Sequence, residues 1–169
     1  QNTQDYLIVE NIEIRNTLTL SGSYAASLDP GDGCIFNRLI MQGVGSTYVT
    51  QINHNGTSDG YISNCLFIGD NVSQTAVVRS FYAAKAYNCT IVSNGATYGY
   101  LDSSTGSAKV CKNTVVIGTT DTADFSVNWS SQTLDYCASQ DTSASAYGSN
   151  AITGISSAVH THAVAGDYS

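Results

Sequence analysis

Charged residues are scarce in this chain. Asp, Glu, Lys and Arg make up 11% of its 169 residues, under half of the ~25% usual for globular domains. Surface polarity must therefore come from Ser, Thr, Asn, Gln and Gly, which suit strands and tight turns better than exposed helices. Only six residues are basic. Arg15, Arg38, Arg79, Lys85, Lys109 and Lys112 form no run, so the converging cations that bind nucleic acid or an anionic membrane are missing. Proline occurs once, at Pro30, and four phenylalanines stand against eleven tyrosines. No apolar run approaches the ~20 residues that span a bilayer, and Gln1–Asp5 has neither part of a secretory signal. No CxxC or Cys-His spacing marks a zinc site, no phosphate-binding glycine loop or Gly-x-Ser-x-Gly elbow marks a cofactor or nucleophile, and five cysteines are a poor disulfide framework.

What the chain does have is a repeat. Six segments align on the pattern apolar, x, Asn, small or apolar, x, apolar. They begin at Val9, Ile35, Ile62, Ala86, Cys111 and Leu134, in steps of 26, 27, 24, 25 and 23 residues. A second apolar stretch recurs between them, at Tyr48–Ile52, Ala76–Val78, Tyr98–Leu101 and Phe125–Val127. No segment carries a sustained helical stripe. A period of this length without a leucine-rich signature is one coil of a parallel β-helix. One coil cannot bury its apolar side alone, but stacked coils share a continuous core. The expectation is an all-β, right-handed parallel β-helix of about six coils over residues 1–140, with an irregular tail over 141–169. Neither end shows an amphipathic cap to hide its strand edges, so the chain reads as a segment of a longer polypeptide or as one whose ends neighbouring subunits cover.

The repeat assigns roles to residues. Asn11, Asn37, Asn64, Asn88 and Asn113 would stack at one corner, because Asn tolerates the left-handed conformation a corner needs and its amide can reach the next Asn. Cys65, Cys89 and Cys137 share the slot after the corner with Ile12 and Thr114, and read as small buried apolar residues. Arg38 falls in the same slot and does not fit an interior. Either the second coil is shifted by one residue or Arg38 faces solvent. Tyr136 replaces the corner Asn of the last coil.

Candidate chemistry is thin. The acids Asp59, Asp70, Asp102, Asp121, Asp124 and Asp135 form no column at the coil period, whereas glycoside hydrolysis needs two carboxyl groups about 5 to 10 Å apart. Asp29 and Asp32 flank a Pro-Gly turn. A lyase needs a basic residue near the scissile sugar; Arg79 and Lys85 lie on one coil, but Lys109 and Lys112 are isolated on another. His160 and His162 could share a strand face, but no third metal ligand accompanies them, and His54 reads as a turn residue. Asn55, Asn71, Asn88 and Asn128 start sequons that an Asn- and Thr-rich chain produces by chance. The spread tyrosines, Tyr48, Tyr61, Tyr82, Tyr87, Tyr98 and Tyr100, read either as a sugar-stacking or subunit-packing face or as half-buried strand residues. No catalytic residue, metal ligand or cofactor is assigned.

Several segments resemble a known family. Asp5–Ile14 looks like the opening coil of pectate-lyase-like β-helix domains of bacteriophage and viral proteins. Ala86-Tyr87-Asn88-Cys89-Thr90-Ile91-Val92 is similar to their Asn-Cys-Thr-Ile coil, Leu134–Cys137 to a late coil, and Ala165–Ser169 to the start of their ending. The resemblance implies a structural virion protein (capsid decoration, head fibre, or tail fibre or spike) on the extracellular particle. Its partners would be other virion proteins, a homotrimer and host-surface polysaccharide, with no nucleic acid and no membrane insertion. A tail-spike depolymerase and a bacterial adhesin or fibre are the alternatives.

Overall fold

The computed structural model describes residues 7–17, 26–28, 34–44, 47–54, 60–70, 74–82, 84–103, 108–118 and 123–155. The chain winds into a β-solenoid with three parallel sheets as its walls. The first sheet stacks Leu7–Glu10, Cys34–Asn37, Tyr61–Ser63, Lys85–Tyr87, Val110–Lys112 and Thr133–Asp135. The second stacks Glu13–Asn16, Ile40–Gly43, Leu66–Gly69, Thr90–Ser93, Val115–Ile117, Ala138–Ser139 and Ile152–Thr153. The third stacks Ala26–Leu28, Tyr48–His54, Ala76–Tyr82, Tyr98–Asp102 and Ala123–Phe125. From the first of these five strands to the last, the chain makes about four full turns. The expected count of six coils differs: the pass through Thr133–Ser139 adds strands to two sheets only, and the five strands of the third sheet enclose four turns.

A sharp corner separates the first sheet from the second. One residue of each pass adopts a left-handed backbone there: Asn11, Arg38, Asn64, Asn88, Asn113, Tyr136 and Asn150, all with φ between 51° and 59°. Asn37 is not among them, which corrects the expected ladder. Asn37 lies in its strand and pairs with Glu10 and Ser63, and Arg38 takes the corner. The second coil is therefore shifted by one residue against the sequence alignment. Leu39, not Arg38, enters the slot beside Cys65 and Cys89, so no charge is buried there. The physical reason is that the interior needs an apolar side chain, and this outweighs the steric cost of about 1–2 kcal/mol for a left-handed Arg.

The corner is held by a switch in hydrogen-bond direction. Each corner N–H donates to the residue just before the next corner: Asn11 to the Asn37 carbonyl, Arg38 to Ser63, Asn64 to Tyr87, Asn88 to Lys112, Asn113 to Asp135 and Tyr136 to Ser149, all at 3.0–3.3 Å. One residue later the direction reverses, and the slot carbonyls of Leu39, Cys65, Cys89, Thr114 and Cys137 accept from the following coil. Side chains add to this unevenly. Asn113 donates to Asn88 at 3.1 Å, Asn64 to Asn37 at 2.8 Å, and Arg38 to Asn11 at 2.9 Å.

Inward rows fill the interior. Ile62, Ala86, Cys111 and Leu134 point in from the first sheet, Met41, Phe67, Ile91 and Val116 from the second, and Val78, Tyr100 and Phe125 from the third. Each fully buried large side chain contributes about 1.5–3 kcal/mol by leaving water. A second apolar group lies on the outside of the second sheet, where Ile68, Val92 and Ile117 are buried and Leu66, Val115 and Ile155 pack against them. At the opposite end Leu7, Ile8 and Ile12 are exposed on the first coil.

Residues 141–155 hold more order than the expected irregular tail. A one-turn helix, α1 (Ser143–Tyr147), crosses the last coil, and Ile152–Thr153 pairs in parallel with Ala138–Ser139. Asn150 makes a seventh corner only 14 residues after Tyr136, a shortened turn. The helix closes the last strand of the third sheet: the Asp124 N–H donates to Asp141 Oδ2 at 3.1 Å, and the Phe125 N–H to Ser143 Oγ at 2.9 Å. Those edge donors would otherwise lack partners.

Candidate functional site

The cysteines do more than fill space. Cys65 Sγ donates to the Ser63 carbonyl at 3.1 Å, Cys89 Sγ to Tyr87 at 3.3 Å and Cys137 Sγ to Asp135 at 3.4 Å, while Thr114 Oγ1 reaches Lys112 at 3.2 Å. Each of these four slot residues thus ties back across its own left-handed corner, a bond that Cys and Thr can make and that Ile12 and Leu39, in the same slot, cannot. All five cysteines are free thiols, and the Cys111 and Cys137 sulfurs sit 3.8 Å apart. A hydrogen bond with Cys65 and burial push the Cys89 thiol well above its ordinary value, and the same hydrogen bond lowers Cys65. Burial, then Cys137, raises Cys111.

The acids are taken up structurally. Asp70 accepts from Gln42 at 2.6 Å and from Asn94 at 2.9 Å, forming a second side-chain stack. Asp102 and Lys109 form a fully buried ion pair at 2.7 Å. Asp124 and Asp141 cap each other reciprocally: Asp124 Oδ2 accepts from the Gln140 and Asp141 N–H groups at 2.5 and 3.2 Å. Asp141 went unassigned in the sequence, since its role depends on the fold-back of α1. Asp59, Asp121, Asp29, Asp32, His160 and His162 lie outside the described residues, as does the His54 side chain. Among the described residues no group of three or more His, Cys, Asp or Glu could hold a metal ion, and no helix is long and apolar enough to cross a membrane.

The tyrosines divide. Tyr100 is fully buried, with Trp129 at 4.8 Å and Phe125 at 6.4 Å between ring centroids, and burial raises its hydroxyl well above the ordinary value. Tyr48 is buried beneath the Arg79 guanidinium, 4.7 Å from its ring centroid. Tyr61 and Tyr87 are half-buried on the outer face of the first sheet and meet edge to face at 5.8 Å. The Tyr82 side chain lies outside the described residues.

That outer face ends in a cleft. Where the segment after α1 leaves the strand Thr133–Asp135, an open pocket of about 440 Å³ is lined by Gln132, Thr133, Asp135, Tyr147, Ser149 and Asn150, among others. Its mouth is fixed by backbone: the Ser149 N–H donates to the Leu134 carbonyl at 2.9 Å. Gly148 passes so close that a Cβ there would lie 2.7 Å from that oxygen. Asp135 is oriented by Asn150 Nδ2 at 2.9 Å on one oxygen, and Lys112 Nζ lies 3.9 Å from the other. Asp135 was a candidate acid in the sequence, but the cleft was not legible there, because Tyr147–Asn150 reach it only through the end helix.

The class of protein is therefore a parallel β-solenoid closed at one end by a short helix. Comparison with known protein families, with curated proteins and with solved structures finds no match to this chain.

Proposed function

We propose that the chain is a structural module of a bacteriophage virion, a capsid decoration, head fibre or tail fibre or spike element, displayed on the particle surface and touching host-surface glycans. The observation that carries this reading is the row of corners, in which each of the six corner N–H groups from Asn11 to Tyr136 is tied to the next coil. Such a rod holds its outer face rigid along its length, which is what a surface fibre requires. The winding is right-handed, as parallel crossovers are in about 98% of cases. Among the described residues, the close acid pair is committed to capping: Asp124 and Asp141 are side by side, yet each accepts backbone N–H groups. We further propose a homotrimer, which would cover open strand edges and the exposed Leu7, Ile8 and Ile12.

The test is direct. Antibodies raised against the chain should decorate intact phage particles from the source culture in electron micrographs. Particles that carry no label, or label confined to cell walls, would overturn the virion assignment in favour of an adhesin. Light scattering should give three times the chain mass, and a strict monomer would contradict the trimer. Release of reducing ends or unsaturated uronates from capsular polysaccharide would replace the structural reading with a depolymerase.

A further inference from the structure

We propose that the cleft between Thr133–Asp135 and Tyr147–Asn150 is a binding site for a neutral pyranose, taking the end of a glycan of one or two rings. The proposal rests on the reading above that the chain touches glycans, and it adds the place and the chemical class.

Size sets the first limit. About 440 Å³ falls in the ~300–1,000 Å³ range of small-ligand sites. Charge sets the second. Asp135 is the one ionisable carboxylate in the lining, which holds no cation. Phosphates, sulfates and uronates would meet a negative group with no partner of their own, a like-charge contact in a protein of net charge −7. Lys112 Nζ, 3.9 Å from Asp135 Oδ2, offsets part of that charge, but Lys112 is not among the lining residues and offers an anion no partner inside the cleft. Polarity sets the third. Leu134 is 3% exposed, and the remaining side chains present hydroxyls, amides and a carboxylate, so an apolar ligand would strip water from groups it could not satisfy.

A neutral polyol fits all three limits. Among the described residues Asp135 accepts from Asn150 on one oxygen and faces Lys112 on the other. A carboxylate has about four acceptor positions, so it can still take two adjacent sugar hydroxyls. Asn150 gives one amide hydrogen to Asp135 and keeps its carbonyl for a third hydroxyl. Tyr147 is half-buried and packs against the hydrophobic core, so its ring is held still and offers area to a sugar face at low entropy cost. The site is preorganised: the Gly148 approach, the Ser149 hydrogen bond and the seventh corner at Asn150 fix the Tyr147–Asn150 wall against the strand Thr133–Asp135, which forms the other.

The experiment titrates the full chain with methyl glucopyranoside, methyl galactopyranoside and methyl mannopyranoside, and with methyl glucuronide as the charged control, reading amide shifts by NMR. At least one neutral glycoside should move the Thr133, Ser149 and Asn150 amides with an affinity near millimolar. The glucuronide should bind about tenfold more weakly. Asp135→Asn, which keeps the shape, should weaken neutral sugar by about tenfold. Asn150→Gly, which suits the left-handed corner, should weaken it without changing the other amides. Unmoved cleft amides, equal binding of the glucuronide, or unchanged affinity in both variants would each overturn the proposal. Sugar-induced shifts elsewhere, on Tyr61 and Tyr87 for example, would also overturn this site while sparing the broader glycan reading. Cleft binding by a chain absent from virions would overturn the virion assignment alone.

Discussion

At the scale of single residues, the corner sets the terms. A left-handed backbone costs an L-residue with a Cβ about 1–2 kcal/mol, and Asn or Gly much less. Asn64→Ala and Asn88→Ala should each lower stability by about 1 kcal/mol, with the Gly variants close to wild type, in urea unfolding. Tyr136 stands at a corner with φ of 52° and is 60% exposed, so Tyr136→Asn should raise stability by about 0.5–1 kcal/mol. An unchanged midpoint in that variant would show that the ring has a packing role. The thiols give a second residue-scale test. Cys34 is partly exposed and the other four cysteines are buried, so a thiol reagent should label one site in the native protein and five after unfolding. Alkaline pH adds a third. The folded pKa of Tyr100 lies well above its ordinary 10.0, so its contribution to stability is complete below that value. It is lost as pH rises further, because the unfolded chain ionises first. Stability should fall more steeply above pH 10.0 in wild type than in Tyr100→Phe.

At the scale of elements, the rows show what was legible in the sequence and why. Five of the seven corner positions follow from the Asn pattern and its Tyr136 substitute, because corner and slot repeat the same two chemical needs in each coil. The second coil misleads, since Asn37 and Arg38 are adjacent and only the demand for an apolar Leu39 inside decides between them. The misfit of Arg38 in an apolar slot was itself the signal. The apolar outer group of Ile68, Val92 and Ile117 was hidden, because a strand that is apolar on both faces does not alternate. The end helix was hidden too: Ser143–Tyr147 is one turn of Ser and Ala with no stripe to read. Its work is capping. Ser143→Ala and Asp141→Ala should expose the Phe125 and Asp124 amides to rapid hydrogen exchange while leaving Ile91 protected. Equal loss of protection at Ile91 would mean that the solenoid unfolds as one unit. Gly118 marks a close approach of neighbouring coils: its φ is +92°, and a Cβ would lie 1.9 Å from the Ser93 carbonyl oxygen. Gly118→Ala should cost roughly 2–4 kcal/mol, read as a lower urea midpoint.

At the scale of the molecule, the solenoid is a stack in which each pass is held by its neighbours, so the account depends on one register. The corner N–H groups bind one specific carbonyl each across a whole coil: Asn64 to Tyr87, Asn88 to Lys112 and Asn113 to Asp135 in the regular part, and Arg38 to Ser63 in the shifted coil. The cleft at the far end follows from the same register, because Asp135 and Asn150 meet only if Tyr136 and Asn150 are successive corners. The most direct measurement is therefore the through-hydrogen-bond NMR coupling between these amide nitrogens and carbonyl carbons in the isotopically labelled chain. The account predicts couplings for Arg38 to Ser63, Asn64 to Tyr87, Asn88 to Lys112 and Asn113 to Asp135. The coupling of Arg38 rather than Asn37 to the third coil would fix the one-residue shift. Couplings that run from Asn37 in place of Arg38, or none across a full coil, would contradict it.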